Sequence, residues 1–140
     1  MPKMEKILIV DDDQISNFLT TNVIKRNSKN PEITVCLDGK EAYDLLQVKI
    51  NNSCQLPDLI LLDINMPNMN GFDFLEAFRQ FQDCGHMPVI IIITTSDHIY
   101  DIERLKDFPE VEVYLNKPLK EDNFLYIADK YFKTEDVSKP

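Results

Sequence analysis

No apolar run in this 140-residue chain approaches the ~20 residues that a membrane-spanning helix needs. The opening Met1-Pro2-Lys3-Met4-Glu5-Lys6 carries charge, but the apolar run after it is too short for a secretion signal. No contact with a membrane and a cytoplasmic location are therefore expected. Cysteine is scarce. Cys36, Cys54 and Cys84 are odd in number, far apart and without a CxxC spacing, so they read as reduced thiols, partly core, rather than as a redox pair. His86 and His98 have no partner at metal-ligand spacing and read as surface or loop histidines. Basic residues are outnumbered as well. Fifteen Lys and Arg against 24 Asp and Glu give a formal charge of −9, which argues against direct nucleic-acid binding through a basic face. Internal repeats and low-complexity linkers are lacking too. With 44% apolar and 28% charged residues, the chain has the composition of a folded protein and the length of one domain. The expectation is one domain over 1–140, with its core at about 5–133 and a frayed polar tail over 134–140.

What is present is an alternation of apolar runs with helical patterns. Strands are predicted at about 6–10, near 33–37, at 57–63, at about 88–93 and near 111–116. Between and after them, helices are predicted at about 14–27, 39–50, 71–82, 97–107 and 120–133. The first helix carries Ile15, Phe18, Leu19 and Val23 at core-facing spacing, and Asp38 is placed to cap the second, which carries Ala42, Leu45 and Leu46. The third carries Phe72, Leu75 and Phe78; the fourth Ile99, Ile102 and Leu105; the last Phe124, Leu125, Ala128 and Tyr131. Five βα units in series predict an α/β fold in three layers, a parallel sheet with right-handed crossovers and helices on both faces.

Four of the strands end in polar groups, and such ends are where open α/β sheets place their chemistry. The run Leu59-Ile60-Leu61-Leu62 delivers Asp63 to a turn rich in Pro, Asn and Gly. Ile7-Leu8-Ile9-Val10 runs into Asp11-Asp12-Asp13. The isoleucines 90–93 run into Thr94-Thr95, and the fifth strand into Lys117-Pro118. Capping of the first helix accounts for one of the three consecutive aspartates, most naturally Asp13. The other two repel one another unless a cation compensates, and a hard divalent ion such as Mg²⁺ takes one or two carboxylates together with waters. Asp63 is the candidate nucleophile, since a carboxylate can accept a phosphoryl group as an acyl phosphate. The backbone carbonyl of Asn65 is a further candidate metal ligand. Lys117 is held at a strand end by Pro118, where its ammonium can pair with Asp63 or with phosphate oxygens. Thr94 or Thr95 supplies a hydroxyl to the same rim, with Thr94 favoured as the first polar residue after the isoleucine run.

With Ile9-Val10-Asp11-Asp12, the pattern DxxMPxMxG over Asp63–Gly71, Thr94-Thr95 and Lys117-Pro118 in this order, the chain resembles the receiver domain of two-component response regulators along nearly its whole length. The resemblance implies a flavodoxin-like strand order 2-1-3-4-5. It implies that Asp63 takes a phosphoryl group from a phosphohistidine on a histidine kinase or a histidine phosphotransfer protein. It also implies that Mg²⁺ is held by Asp12 directly, by Asp11 through water, by Asp63 and by the Asn65 carbonyl. Lys117 would contact the phosphate, Thr94 would move to hydrogen-bond it, and Tyr114 would swing inward as the switch aromatic. The face of helix 4, strand 5 and helix 5, with Ile99, Tyr100 and Phe108, would then dock a downstream protein. Asn65 and Ser96 flank the site and are expected to tune the lifetime of the phosphorylated state. On this reading the protein is a stand-alone signalling switch that assists its own phosphorylation and dephosphorylation, and is not a metabolic enzyme.

Two other readings compete. A small haloacid-dehalogenase-like phosphohydrolase would use Asp11 and Asp13 as its DxD, with Thr94 and Lys117 in order. It lacks room for a cap domain and the later acidic pair, and it leaves the Asp63 pattern unexplained. A receiver-like interaction module that is not phosphorylated would be expected to lose an acidic residue or the lysine, and none is lost.

Overall fold

The computed structural model describes residues 3–53, 55–81, 85–95 and 99–132. Cys54, Cys84, Ser96, His98, the start of the fourth predicted helix and the tail from 134 lie outside the described residues. Five strands, β1 (Lys6–Val10), β2 (Glu32–Cys36), β3 (Leu59–Leu62), β4 (Val89–Thr94) and β5 (Val111–Asn116), alternate with helices α1 (Gln14–Asn27), α2 (Gly39–Ser53), α3 (Gly71–Phe78), α4 (Ile99–Arg104) and α5 (Glu121–Tyr131). A 3₁₀ turn over Leu105–Asp107 follows α4. The sheet is parallel throughout, in the order β2-β1-β3-β4-β5, which is the predicted order.

The alternation of side chains along a strand divides the apolar runs between two layers. Leu8, Val10, Ile60, Leu62, Ile90 and Ile92 pack with Ala42, Leu46, Phe72, Phe74 and Phe78 on the α2–α3 side. Ile7, Ile9, Leu59, Leu61, Ile91 and Ile93 pack with Val23, Ile24, Phe124 and Ile127 on the α1–α5 side. Two-sided burial is why these strands read as continuous apolar runs. Cys36 is core, as expected for a reduced thiol, and burial together with the nearby Glu41 and Asp38 carboxylates pushes its pKa up to about 12. Among the described residues no helix is long and apolar enough to cross a membrane.

The helix faces need correction. In α1 the buried residues are Asn17, Thr20, Val23 and Ile24, so the expected core stripe holds only at Val23. Ile15, Phe18 and Leu19 are 74%, 65% and 45% exposed. The most apolar stripe of this helix faces solvent, and a more polar one faces the sheet. In α4 the residues expected to be core are also exposed at Ile99 and Ile102, while Leu105 is half-buried in the 3₁₀ turn. In α5 the sheet-facing residues are Phe124 and Ile127, and Leu125 is exposed. Phe108, expected on the docking face, is buried beside Phe72 at 5.7 Å between ring centroids. The α2 helix runs through Ser53, taking in residues 51–53 that read as loop, and α3 stops at Phe78.

Candidate functional site at the carboxyl end of the sheet

Asp63 follows the last residue of β3 and is 6% exposed. Its amide donates to the Val10 carbonyl at 2.9 Å, which continues the β1–β3 pairing by one step and brings Asp63 beside the aspartates that follow β1. Asp11 is 5% exposed. Its amide donates to the Cys36 carbonyl at 3.0 Å, and its Oδ1 accepts from the Asp13 amide at 2.9 Å. Asp13 caps α1 as expected, its side chain accepting from the amides of Ile15 and Ser16. Asp12 stands exposed between them. Carboxylate oxygens of Asp11, Asp12 and Asp63 lie within 4.8 Å of one another.

Lys117, one residue past β5 and joined to Pro118 by a cis peptide bond, reaches back across the sheet. Its Nζ lies 2.6 Å from Asp11 Oδ2 and 2.9 Å from Asp63 Oδ2, with the side chains 9% and 7% exposed in each pair. Burial by itself would lower the lysine pKa. The hydrogen bonds and charges of Asp11 and Asp63 outweigh it, so the ammonium is held above its ordinary range and stays charged. Asp11 moves up from the usual carboxylate range, because burial and the Asp63 charge exceed what Lys117 and the Asp13 amide return. The ammonium thus sits where two carboxylates converge and does there the charge-compensating work of a cation. Three convergent carboxylates, one of them exposed to solvent, form an all-oxygen donor set that suits a hard divalent ion with waters in its remaining positions.

The rest of the rim is built around that cluster. Thr94 ends β4, is fully buried, and its carbonyl accepts from the Lys117 amide at 2.9 Å. Thr95 is exposed. Of the two threonines, Thr94 is the one held inside the packed rim. Tyr114 is half-buried on β5 opposite Ile92, two rungs before the Thr94–Asn116 pair. The Asn65 amide lies 3.4 Å from Asp63 Oδ1, so the turn after β3 curls over the carboxylate. Gly71 makes that turn possible. Its amide donates to the Ile64 carbonyl at 2.8 Å, and a Cβ there would stand 2.6 Å from the Asp63 carbonyl oxygen.

Residues 7–129 match the family described as the response regulator receiver domain. The chain belongs to that family. Among curated receiver proteins it is 31% identical over 132 residues to the sensory transduction protein LytT of Bacillus subtilis, covering 93% of this chain and 49% of LytT. It is 33% identical over 113 residues to the response regulator Rcp1 of Synechocystis, covering 79% of this chain and 75% of Rcp1. It thus spans about half of LytT and smaller fractions of several multidomain relatives. Among solved structures, a two-component response regulator from Cytophaga hutchinsonii superposes with a TM-score of 0.80 at 28% identity, over 92% of this chain and 97% of that one. The Mn²⁺-bound form of Rcp1 superposes at 0.73 and 29% identity, over 97% and 99%.

Two supports of the receiver rim carry no local motif. Asn17, on the buried face of α1, donates its Nδ2 to the Asp11 carbonyl at 2.8 Å. The second is a latch between loops. Asp38 Oδ2 accepts from Asn68 Nδ2 at 2.8 Å, Asp38 Oδ1 accepts from the Glu41 amide, and the Gly39 amide donates to the Met69 carbonyl at 3.0 Å. The bonds from the Glu41 amide and from Asn68 hold the carboxyl group of Asp38 below its ordinary pKa. The sequence marks Asp38 as a helix cap but gives no sign of its second partner. Asn68 has a positive φ of 66°, a left-handed backbone that asparagine tolerates better than most residues.

Proposed function

We propose that this receiver domain is a phosphorylation switch in which Asp63 accepts a phosphoryl group from a phosphohistidine on a histidine kinase or phosphotransfer protein. The observation that carries the reading is the buried Asp63 carboxylate at 2.9 Å from the Lys117 ammonium, with Asp11 and Asp12 converging on the same point. In the transfer, an Asp63 carboxylate oxygen forms the P–O bond as the donor's P–N bond breaks, and the imidazole keeps the electron pair. Asp12, Asp11, Asp63 and the Asn65 carbonyl would hold Mg²⁺, which when bound neutralises charge on the transferring group. The similar Rcp1 has an Mn²⁺-bound form, which supports the reading of a divalent ion here. Lys117 pairs with a phosphate oxygen once Asp63 carries the acyl phosphate, and Thr94 donates its hydroxyl to another. Each charge-assisted hydrogen bond contributes about 1.5–3 kcal/mol. A few of them supply the ~5.5 kcal/mol that moves a two-state equilibrium from 1:99 to 99:1. Tyr114 and the face of α4, β5 and α5 would report the change to a downstream protein, with exposed Ile99, Tyr100, Leu125 and Tyr126 as its apolar contacts.

The donor has a docking surface of its own. Ile15, Phe18 and Leu19 form an exposed apolar stripe on α1 that begins two residues after Asp13. A partner seated there lies against the acidic rim, and this role accounts for apolar side chains on the outer face of a helix.

The test is direct. The chain is incubated with Mg²⁺ and acetyl phosphate, and intact mass is measured for wild type and Asp63→Asn. One phosphoryl adduct on the wild type and none on Asp63→Asn is expected. Equal occupancy in both sinks the assignment of Asp63.

A further inference from the structure

The segment Asp11–Asp13 is anchored at two points by its own backbone, through the Asp11 amide on Cys36 and the Asp13 amide on Asp11 Oδ1. The Asp11 carbonyl has a different anchor, the side-chain amide of Asn17 at 2.8 Å. Asn17 is 7% exposed, and its Oδ1 is buried without a hydrogen-bond partner. An asparagine is a poor choice for that position on general grounds. It favours a helix interior less than leucine does, and a buried acceptor left unpaired is costly. An apolar side chain facing the sheet beside Val23 and Ile24 would avoid both costs. What asparagine adds is one bond, and that bond fixes the peptide plane between Asp11 and Asp12.

We propose that Asn17 is a positioning residue of the cation site, orienting the Asp11–Asp12 peptide so that the exposed Asp12 carboxylate converges with Asp11 and Asp63. The inference rests on the reading that Asp11 and Asp12 hold a divalent ion. Without the Asn17 bond the Asp11 carbonyl is free to turn, the Asp12 carboxylate samples directions away from the cluster, and the ion loses a preorganised ligand. Groups that orient metal ligands in this way typically matter by about 10–100-fold in affinity. A tie that merely fastened α1 to β1 would affect stability and leave the affinity alone.

The experiment titrates the whole chain with MgCl₂, by calorimetry or by NMR, in wild type, Asn17→Ala, Asn17→Leu and Thr20→Val. Thr20 lies on the same buried face of α1 and serves as the stability control. Thermal midpoints in EDTA are recorded alongside. The Mg²⁺ Kd is expected to rise about tenfold or more in both Asn17 variants and to stay at the wild-type value in Thr20→Val, even where the midpoints fall alike. Asn17→Leu keeps the branched side-chain shape and carries the test if Asn17→Ala does not fold. In the wild type, the Asn17 side-chain amide resonances are expected to shift over the same Mg²⁺ range, which needs no variant. Unchanged Kd values in the Asn17 variants with normal binding by the wild type would overturn this inference alone. Absence of Mg²⁺ binding by the wild type would overturn the proposed function, and this inference with it.

Discussion

Replacing Lys117 by methionine removes the ammonium that lies 2.6 Å from Asp11 and 2.9 Å from Asp63 and keeps most of the apolar stem. Two buried carboxylates then face one another without a compensating charge. Removing one partner of a buried ion pair costs about 3–5 kcal/mol. A ceiling applies, because the pair can instead take up a proton. From pH 7 to an ordinary Asp pKa of about 3.9 that uptake costs about 4 kcal/mol at 1.36 kcal/mol per unit. The expected loss at pH 7 is therefore about 3–4 kcal/mol, or a fall of about 10 °C in thermal midpoint for a chain of this length. Calorimetry in EDTA measures it. The pH dependence has a definite sign. In the variant the folded-state carboxylate pKa lies above its unfolded value, so folding takes up protons and the variant regains stability as pH falls from 7 to 5. The divalent ion and Lys117 compete for the same oxygens, so the variant also binds Mg²⁺ more tightly. At 100 times its Kd the ion adds about 2.7 kcal/mol, enough to recover most of the deficit. A midpoint within about 2 °C of wild type in EDTA at pH 7, or weaker Mg²⁺ binding by the variant, refutes the account of Lys117 as the resident compensating cation.

Gly71→Ala places a Cβ 2.6 Å from the Asp63 carbonyl oxygen and 2.9 Å from the Ile64 Cα. Both are backbone atoms, so a loss of about 1–3 kcal/mol in urea unfolding and slower phosphorylation by acetyl phosphate are expected; wild-type values for both would show the turn to be yielding. Asp38→Asn tests the loop latch by pH. The folded-state pKa of Asp38 is depressed by its bonds to the Glu41 amide and Asn68, so its contribution is present above the unfolded value of about 3.9 and disappears as pH falls through the lower folded value. The stability difference between wild type and variant, measured by urea unfolding, should narrow as pH falls from 5 to 3, and a constant difference rejects the electrostatic account. Phe18→Ala changes a residue 65% exposed, so stability should move by no more than about 0.5 kcal/mol. Phosphotransfer from a cognate phosphohistidine protein should fall about tenfold while acetyl phosphate labelling is unchanged, and equal losses with both donors would remove α1 from the docking surface.

The sheet was legible because its strands are buried on both faces. Ile7–Val10, Leu59–Leu62 and Val89–Ile93 have no polar interruption, and their polar ends mark one rim. Asp11, Asp63, Thr94 and Lys117 were found from those ends and meet in the structure as the strand order requires. Helix faces were less legible. Periodicity identifies the most apolar stripe of a helix, and the usual inference is that this stripe faces the core. In α1 that inference fails, since Phe18 and Leu19 lie outward while Asn17 and Thr20 lie inward. The same substitution of surface for core occurs at Ile99, Ile102 and Leu125. On the proposed function these positions lie on docking surfaces that favour exposed apolar side chains, so their pattern carries two demands in one signal. Asn17 is silent in the sequence for the complementary reason. Its importance lies in one hydrogen bond across to β1, and no local spacing announces such a bond.

Burial is distributed unevenly among the helices, and that unevenness bears on how a phosphoryl group at Asp63 could be felt elsewhere. The α3 helix buries Gly71, Phe72, Phe74, Leu75 and Phe78, whereas α4 buries none of its six residues. Among the described residues, one tie from α4 to α3 is a surface contact. Arg104 stands 3.7 Å from Glu76 and 4.4 Å from the centre of the Phe72 ring. An exposed ion pair contributes about 0–1 kcal/mol, and an exposed cation–π contact about 0.5–1 kcal/mol. Breaking these two contacts costs a small part of the ~5.5 kcal/mol that a decisive population shift requires. Repacking α3 would expose several aromatic side chains at about 1.5–3 kcal/mol each, which exceeds what a few phosphate contacts can supply. On the proposed function, α4 is therefore the helix of the two that a phosphoryl group moves more cheaply. It follows the strand that ends in Thr94, the buried residue whose carbonyl already holds the Lys117 amide.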